Sequence, residues 1–232
     1  GMSTATGPRV VVPGEAVQAI PDSGQLRLGP GLISQDEHIV AVRSGVLRQN
    51  KSGQTWLEGR QKRYIPAEGD IVVGTITDRM GENFMVDIGG PFTALLPMLS
   101  FEGATRRNRP NLKAGDVVCA RVVGAPRDME PQLSCVDALG RGAGYGHLKE
   151  GVVVTVSTAM ARAMLGSPPP AVLTALGASL QFEVAVGMNG RVWVCGASTN
   201  ATILVANAIT SSEFLTPTQQ NTLVSRLVAQ VQ

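Results

Sequence analysis

The stretch GDIVVGTITDRMGENFMVDIGG, Gly69–Gly90, decides the fold. It reads as a long β-strand, a turn at Met80-Gly81-Glu82-Asn83, and a second strand from Phe84 to Ile88. Strand-like runs follow at Phe92–Leu96, Asp116–Val123 and Gln132–Val136. Five short strands with Phe84, Phe92 and Phe101 among them describe a small OB-type barrel. Such barrels hold single strands on one face, with aromatic side chains under the bases and basic loops on the phosphates. The long loop Phe101–Lys113 is expected at the barrel's edge.

On the N-terminal side, Val10–Val12, Gln25–Leu28, Ile39–Val42, Gly45–Arg48 and Thr55–Leu57 read as short strands. Pro13-Gly14, Ser23-Gly24, Gly29-Pro30-Gly31 and Ser52-Gly53 punctuate them as turns, because Pro presets φ and Gly tolerates positive φ. On the C-terminal side the period changes. A strand at Val152–Val156 precedes helix-compatible stretches near Ala159–Leu165 and Pro170–Leu176. The runs QFEVAV and RVWVCG flank Gly187-Met188-Asn189-Gly190 as a hairpin. Two helices close the chain, Ala201–Ile209 and one opening at Thr216-Pro217 with Gln219, a capping box with Pro in its first turn. The order strand, helix, helix, strand, strand, helix is that of a KH-type domain. The expected fold is therefore mostly β with a C-terminal α+β domain. It divides into an N-terminal β-domain (residues 1–60), an OB barrel (61–146) and a KH-type domain (147–232).

Composition excludes several classes. A chain of 232 residues, 44% apolar, can bury a core without disulfide staples. Its Gly 27 and Pro 14 are spread along the chain, which argues against collagen and for frequent turns. No apolar run approaches the ~18 residues of a membrane span, and no membrane partner is expected. Cys119, Cys135 and Cys195 are odd in number and never spaced C-x-x-C, so neither a disulfide framework nor a zinc knuckle is expected. That usage suits a reducing, intracellular compartment. With only His38 and His147, imidazole chemistry is poorly supplied. Asp70, Asp78, Asp87, Asp116 and Asp128 fall at strand ends and turns without the clustering that two-metal nuclease chemistry needs. The chain is expected to be no enzyme, with no metal and no cofactor.

The net charge is only +2, but it is unevenly placed. Arg43, Arg48, Lys51, Arg60, Lys62 and Arg63 face Glu58 alone, and Arg106, Arg107, Arg109 and Lys113 face Glu102 alone. The remainder is net acidic, so two basic islands offer a polyanion path. Within FEGATRRNRPNLKAGD, Phe101–Asp116, the candidates for RNA contact are Arg106, Arg107, Asn108, Arg109 and Lys113. Guanidinium forks suit phosphate oxygens and also stack on bases. Phe84 is a candidate stacking platform, with the core as the other reading. Gly187-Met188-Asn189-Gly190 matches the G-x-x-G with which KH domains clamp a nucleic-acid backbone. Here it joins two strands, and Asn-Gly points to a type I′ hairpin turn, so a structural role is expected for Gly187, Asn189 and Gly190. Where a clamp belongs, Gly166-Ser167-Pro168-Pro169-Pro170 lacks the N–H donors that would hold phosphate. Trp56 and Trp193 read as packing residues.

These residues resemble a known family. GPGL near Gly29, SGxLR at Ser44–Arg48, QKRYIPAEGDIVVGTI, SFEGATRRNRPN, DMEP and GMNGRVWV recur in that order in the cap subunits of the eukaryotic RNA exosome. SFEGATRRNRPN and DMEP resemble the branch of that family named for ribosomal-RNA processing. The resemblance implies a non-catalytic subunit in a three-member cap over a six-member ring of RNase-PH-like subunits. It would guide single-stranded RNA into the channel for 3′–5′ processing and degradation, in the nucleus and nucleolus and also the cytoplasm. It further implies an S-one-type barrel with Arg106–Arg109 as the main RNA contact. The third domain would be a KH domain without the clamp, Gly187, Asn189 and Gly190 serving the packing of barrel against KH domain. The competing expectation is a free-standing ribosome- or translation-associated OB–KH protein that binds RNA alone.

Overall fold

The computed structural model describes residues 10–11, 14–19, 28, 32–35, 38–41, 45–49, 55–58, 63–213 and 215–230. The chain divides into two compact units, Gly1–Lys62 and Arg63–Gln232. In the first, β1 (Val10–Val11), β5 (Gly45–Gln49) and β6 (Thr55–Glu58) make one antiparallel sheet in the order β1-β5-β6. A second sheet has the order β2-β4-β3, from β2 (Ala16–Ala19), β3 (Leu32–Gln35) and β4 (His38–Ala41). Val11, Val17, Leu32, Ile39, Ala41 and Leu57 form the core between them. Strands β2 and β3 are additions to the sequence reading; their short runs, AVQA and LISQ, lack the β-branched enrichment that flags a strand. Of the expected strand Gln25–Leu28, only Leu28 lies within the described residues, in a parallel bridge to Thr55.

The second unit holds both the barrel and the α+β domain. The barrel comprises β7 (Ile71–Met80), β8 (Asn83–Asp87), β9 (Ala94–Pro97), β10 (Val117–Gly124) and β11 (Gln132–Ser134). It closes because β11 pairs in parallel with β9 and antiparallel with β10. The alternation read from the sequence fills it: Val72, Ile76, Phe84, Val86, Leu96, Val118, Ala120, Val122 and Leu133 are all nearly sealed from solvent. A sixth strand, β12 (Gly146–Leu148), pairs with the start of β10. Its glycine-rich sequence carries no strand signal, and His147 lies on it.

In the α+β domain, β13 (Val152–Thr155), β14 (Phe182–Val186) and β15 (Arg191–Gly196) form an antiparallel sheet in the order β13-β15-β14. Helices α1 (Thr158–Leu165), α2 (Ala171–Ser179), α3 (Thr199–Ser212) and α4 (Pro217–Ala229) cover one face. The capping box at α4 is formed: Thr216 Oγ1 accepts from Gln219 N–H, and Gln219 Oε1 accepts from Thr216 N–H. Helix α2 begins after Pro170 with no side-chain cap of its own. Gln220, on α4, supplies one. Its Oε1 accepts from Val172 N–H at 3.0 Å, while its Nε2 donates to the carbonyls of Ser212 and Leu215 at 3.2 Å each. One buried amide thus satisfies orphan groups at the start of α2 and the end of α3. Gln220→Ala strands those groups and is expected to cost about 2 kcal/mol in urea unfolding; a change below ~0.5 kcal/mol would show that water replaces the amide. Among the described residues no helix is long and apolar enough to cross a membrane.

All three cysteines are free, and Cys119 and Cys135 are buried in the barrel. Burial pushes their thiols up, Cys119 to about 11 and Cys135 to about 12, which leaves both unreactive at neutral pH.

Candidate nucleic-acid interface

The basic loop between β9 and β10 is fastened at both ends and in the middle. At its start, Phe101 bridges to Cys135 and its ring meets Phe84 at 85°, with centroids 6.1 Å apart. At its end, Gly115 N–H donates to the Ile76 carbonyl and Ile76 N–H to the Asp116 carbonyl, both at 2.8 Å. The Asp116 carboxylate also accepts from Lys113 N–H at 2.9 Å. Between these anchors Thr105 and Asn108 exchange backbone hydrogen bonds of 3.0 and 3.1 Å. Arg109 reaches back to the β7–β8 turn, where its Nη2 lies 2.9 Å from Glu82 Oε1. Its Nε donates to the Arg106 carbonyl.

The five loop candidates therefore divide. Arg106, Arg107 and Lys113 are exposed and have no ion pair among the described residues. Asn108 is exposed with its backbone committed to the turn. Arg109 already has a carboxylate partner and serves first to hold the loop down. Of the N-terminal basic island, Arg48 and Arg63 are exposed, while Arg43, Lys51, Arg60 and Lys62 lie outside the described residues.

Phe84 corrects the sequence reading. It is 1% exposed and stands at the centre of the barrel core, so no base can stack on it. Its place on β8 opposite Leu96 and in edge contact with Phe101 turns the ring inward. A Phe on an alternating strand beside a turn has the same local sequence whether its face is the inner or the outer one. The barrel phenylalanines with solvent-facing surface are Phe92, 41% exposed, and the half-buried Phe101.

The G-x-N-G segment faces the barrel. Strand β7 is twice as long as β8 and loses it as a partner after the pair Thr75–Asp87, so the edge Ile71–Val73 is open on that side. The hairpin loop takes β8's place there. Met188 N–H donates to the Ile71 carbonyl at 2.6 Å. Asn189 Oδ1 accepts from Val73 N–H at 3.2 Å, and its Nδ2 donates to the carbonyls of Val73 at 2.8 Å and Ile88 at 3.0 Å. The turn differs from the expected type I′. Neither Met188 nor Asn189 has positive φ; Gly190 does, at +76°, and Gly190 N–H donates to the Gly187 carbonyl at 3.0 Å. This is the three-residue hairpin loop ending on a left-handed Gly. A loop one residue longer than the two-residue turn carries the Asn189 amide out to the barrel.

Beside it, Arg191 lies across the barrel's β8 end. Its Nη1 donates to the Asp87 carbonyl at 2.7 Å and its Nη2 lies 3.1 Å from Asp87 Oδ2. Burial would raise the Asp87 carboxyl, but the Gly89 N–H and the Arg191 guanidinium outweigh it and hold the group below the usual carboxylate range. A depressed folded value means the pair stabilises above the unfolded carboxyl's ordinary value of about 3.9. That contribution is lost as pH falls through the lower folded value. Asp87→Asn should therefore lower the melting temperature by a few degrees at pH 6 and leave it unchanged near pH 2; an offset that persists in acid would contradict the ion pair. The sequence reading placed Asp87 only among scattered carboxylates; the signal for its role was the Asp-x-Gly spacing, in which Asp87 Oδ1 accepts from Gly89 N–H at 2.9 Å.

Trp193 packs as expected. It is 5% exposed, on the sheet face away from the helices, and its Nε1 donates to the Glu150 carbonyl at 2.9 Å. Of the five scattered aspartates, Asp70, Asp78, Asp87 and Asp116 are engaged at separate places. Asp70 accepts from the Tyr64 hydroxyl at 2.5 Å, Asp78 from Arg79 N–H, and Asp116 from Lys113 N–H. Among the described residues no three His, Cys, Asp or Glu side chains converge on a metal position.

An S1-type barrel that presents a pinned arginine loop and is bonded along an open strand edge to a KH-type domain defines the class, an S1–KH protein. Residues 64–146 match the model described as the S1 domain of exosome complex component RRP40. Residues 26–63 match the Rrp40 N-terminal domain, described as that of an exosome complex exonuclease, and residues 151–200 match a KH domain. The chain is 44% identical over 216 residues to "Exosome complex component rrp40" of Schizosaccharomyces pombe, covering 90% of each chain. It is 41% identical over 207 residues to "Exosome complex component RRP40" of Drosophila melanogaster, covering 88% of this chain and 89% of the relative. A solved structure titled "Crystal structure of putative exosome complex RNA-binding protein" shares the fold, with a TM-score of 0.60 at 23% identity over 74% of this chain and all of that one. The chain belongs to the RRP40 family of exosome complex components.

Proposed function

We propose that this chain is a non-catalytic, RNA-binding cap subunit of an exosome. It joins RNase-PH-like ring subunits and the other cap subunits, and its β9–β10 loop holds single-stranded RNA by the phosphates on the way to the channel. It would act in the nucleus and nucleolus and also in the cytoplasm. The observation that carries the RNA reading is the pinned loop with Arg106 and Arg107 exposed at its tip and without an ion pair among the described residues. A preformed loop loses little conformational entropy on binding. The engaged and dispersed carboxylates support a role without hydrolysis.

The test is the salt dependence of binding of a fluorescein-labelled single-stranded RNA to the full chain, followed by anisotropy. Each lost phosphate contact removes ~0.7 from the slope of log K against log salt. The double variant Arg106→Ala, Arg107→Ala is expected to flatten it by about 1.4. An unchanged slope would remove the loop from the RNA path. The same labelled RNA should stay intact when incubated with the chain and Mg²⁺; its degradation by the purified chain would overturn the non-catalytic role.

A further inference from the structure

We infer that the concavity formed by the arginine loop itself, of about 220 Å³ and lined by Phe101, Glu102, Asn108, Arg109 and Pro110, seats a single unpaired RNA base. This deepens the RNA reading above and rests on it. The volume lies below the range of drug-sized sites and suits a fragment of one planar ring system. Its charge argues for a neutral occupant. Arg109, the one cation on its wall among the described residues, is bound to Glu82, and Glu102 brings a negative charge to the rim, so a phosphate would gain little there. The unpaired cations Arg106 and Arg107 lie on the same loop but outside the lining, where phosphates flanking the seated base would fall. The half-buried Phe101 supplies aromatic surface on the wall, held by its edge contact with Phe84. The Asn108 side-chain amide offers both a donor and an acceptor to a base edge. The seat exists before RNA arrives, because the Thr105–Asn108 backbone pair and the Arg109–Glu82 bridge fix its far wall.

The seat separates stacking from charge, and the two can be read apart. Anisotropy of a labelled twelve-residue oligoadenylate is measured at low salt with the full chain, the Phe101→Leu and Phe101→Tyr variants, and Arg106→Ala, Arg107→Ala. One stacked base contributes enough that Phe101→Leu should weaken binding about 5- to 100-fold with the salt slope unchanged. Phe101→Tyr, which keeps the ring, should bind like the native chain. An abasic ribose-phosphate oligomer of the same length should bind native and Phe101→Leu chains equally. Thermal melts establish whether Phe101→Leu is folded; if it is not, Asn108→Ala, an exposed position, takes its place with an expected loss of several-fold. Equal oligoadenylate binding by native and substituted chains, with the arginine variant still flattening the slope, overturns the base seat and leaves the phosphate reading standing. Equal affinity in every variant, with a slope that the arginine variant leaves unchanged, overturns both.

Discussion

Asn189→Ala is expected to lower the unfolding free energy by about 3 kcal/mol, although its side chain is small and polar and lies in a surface-type turn sequence. The reason is the open edge of β7. Val73 has its N–H and carbonyl directed where β8 no longer runs, and the Asn189 amide satisfies both, together with the Ile88 carbonyl. Truncation leaves those three groups with only such water as can enter a partly buried seam. A buried polar group without a partner costs about 1–3 kcal/mol, and partial access to water brings three of them to the total above. The α+β domain keeps its own core of Val192, Val194, Leu204, Val205 and Ile209, so the loss falls on the coupling of the two domains. Urea unfolding should change from one transition to two, with the barrel and α+β domains melting separately. A single transition with an unchanged midpoint would mean the amide bonds are dispensable. Asn189→Asp, which keeps an acceptor for Val73 N–H but faces two carbonyls, should be at least as damaging.

Gly187→Ala is expected to match or exceed that loss. A Cβ at Gly187 would stand 2.6 Å from Val73 N and 2.1 Å from Asn189 Oδ1, the two atoms that bond to each other. Neither is the free end of a flexible chain, because Val73 N belongs to a central barrel strand and Asn189 is held at three points. The added methyl must push the loop off the β7 edge, with loss of the Met188–Ile71 backbone bond as well. A cost above about 3 kcal/mol follows, near the upper range of single substitutions that act by a named mechanism. Gly187→Ala combined with Asn189→Ala should cost little more than either alone, since both remove one latch. Simple additivity would show that Gly187 is constrained for some other reason.

The architecture was legible from the sequence where local signals were strong. The alternation in Gly69–Gly90 placed β7 and β8, and Thr216-Pro217 with Gln219 placed the start of α4. Signals failed where tertiary context decides. Phe84 has one local pattern and two possible faces, and only closure of the barrel turns it inward. Gln220 looks like a surface residue on a helix until Pro170 leaves α2 uncapped beside it. Arg109 belongs to a uniform basic run, and Glu82, which neutralises it, is 27 residues away in sequence. The G-x-N-G loop was read as structural from its hairpin context, but its length and its partner strand depended on β8 stopping short of the start of β7.

A chain that works as an exosome component should be recovered together with the rest of that assembly. The most direct measurement is capture of the tagged full chain from native extract at moderate salt, with the bound chains identified by mass spectrometry. Co-purification of RNase-PH-like ring subunits together with further S1–KH cap proteins is the result expected. Recovery of ribosomal proteins in their place, or of the tagged chain alone, would contradict it.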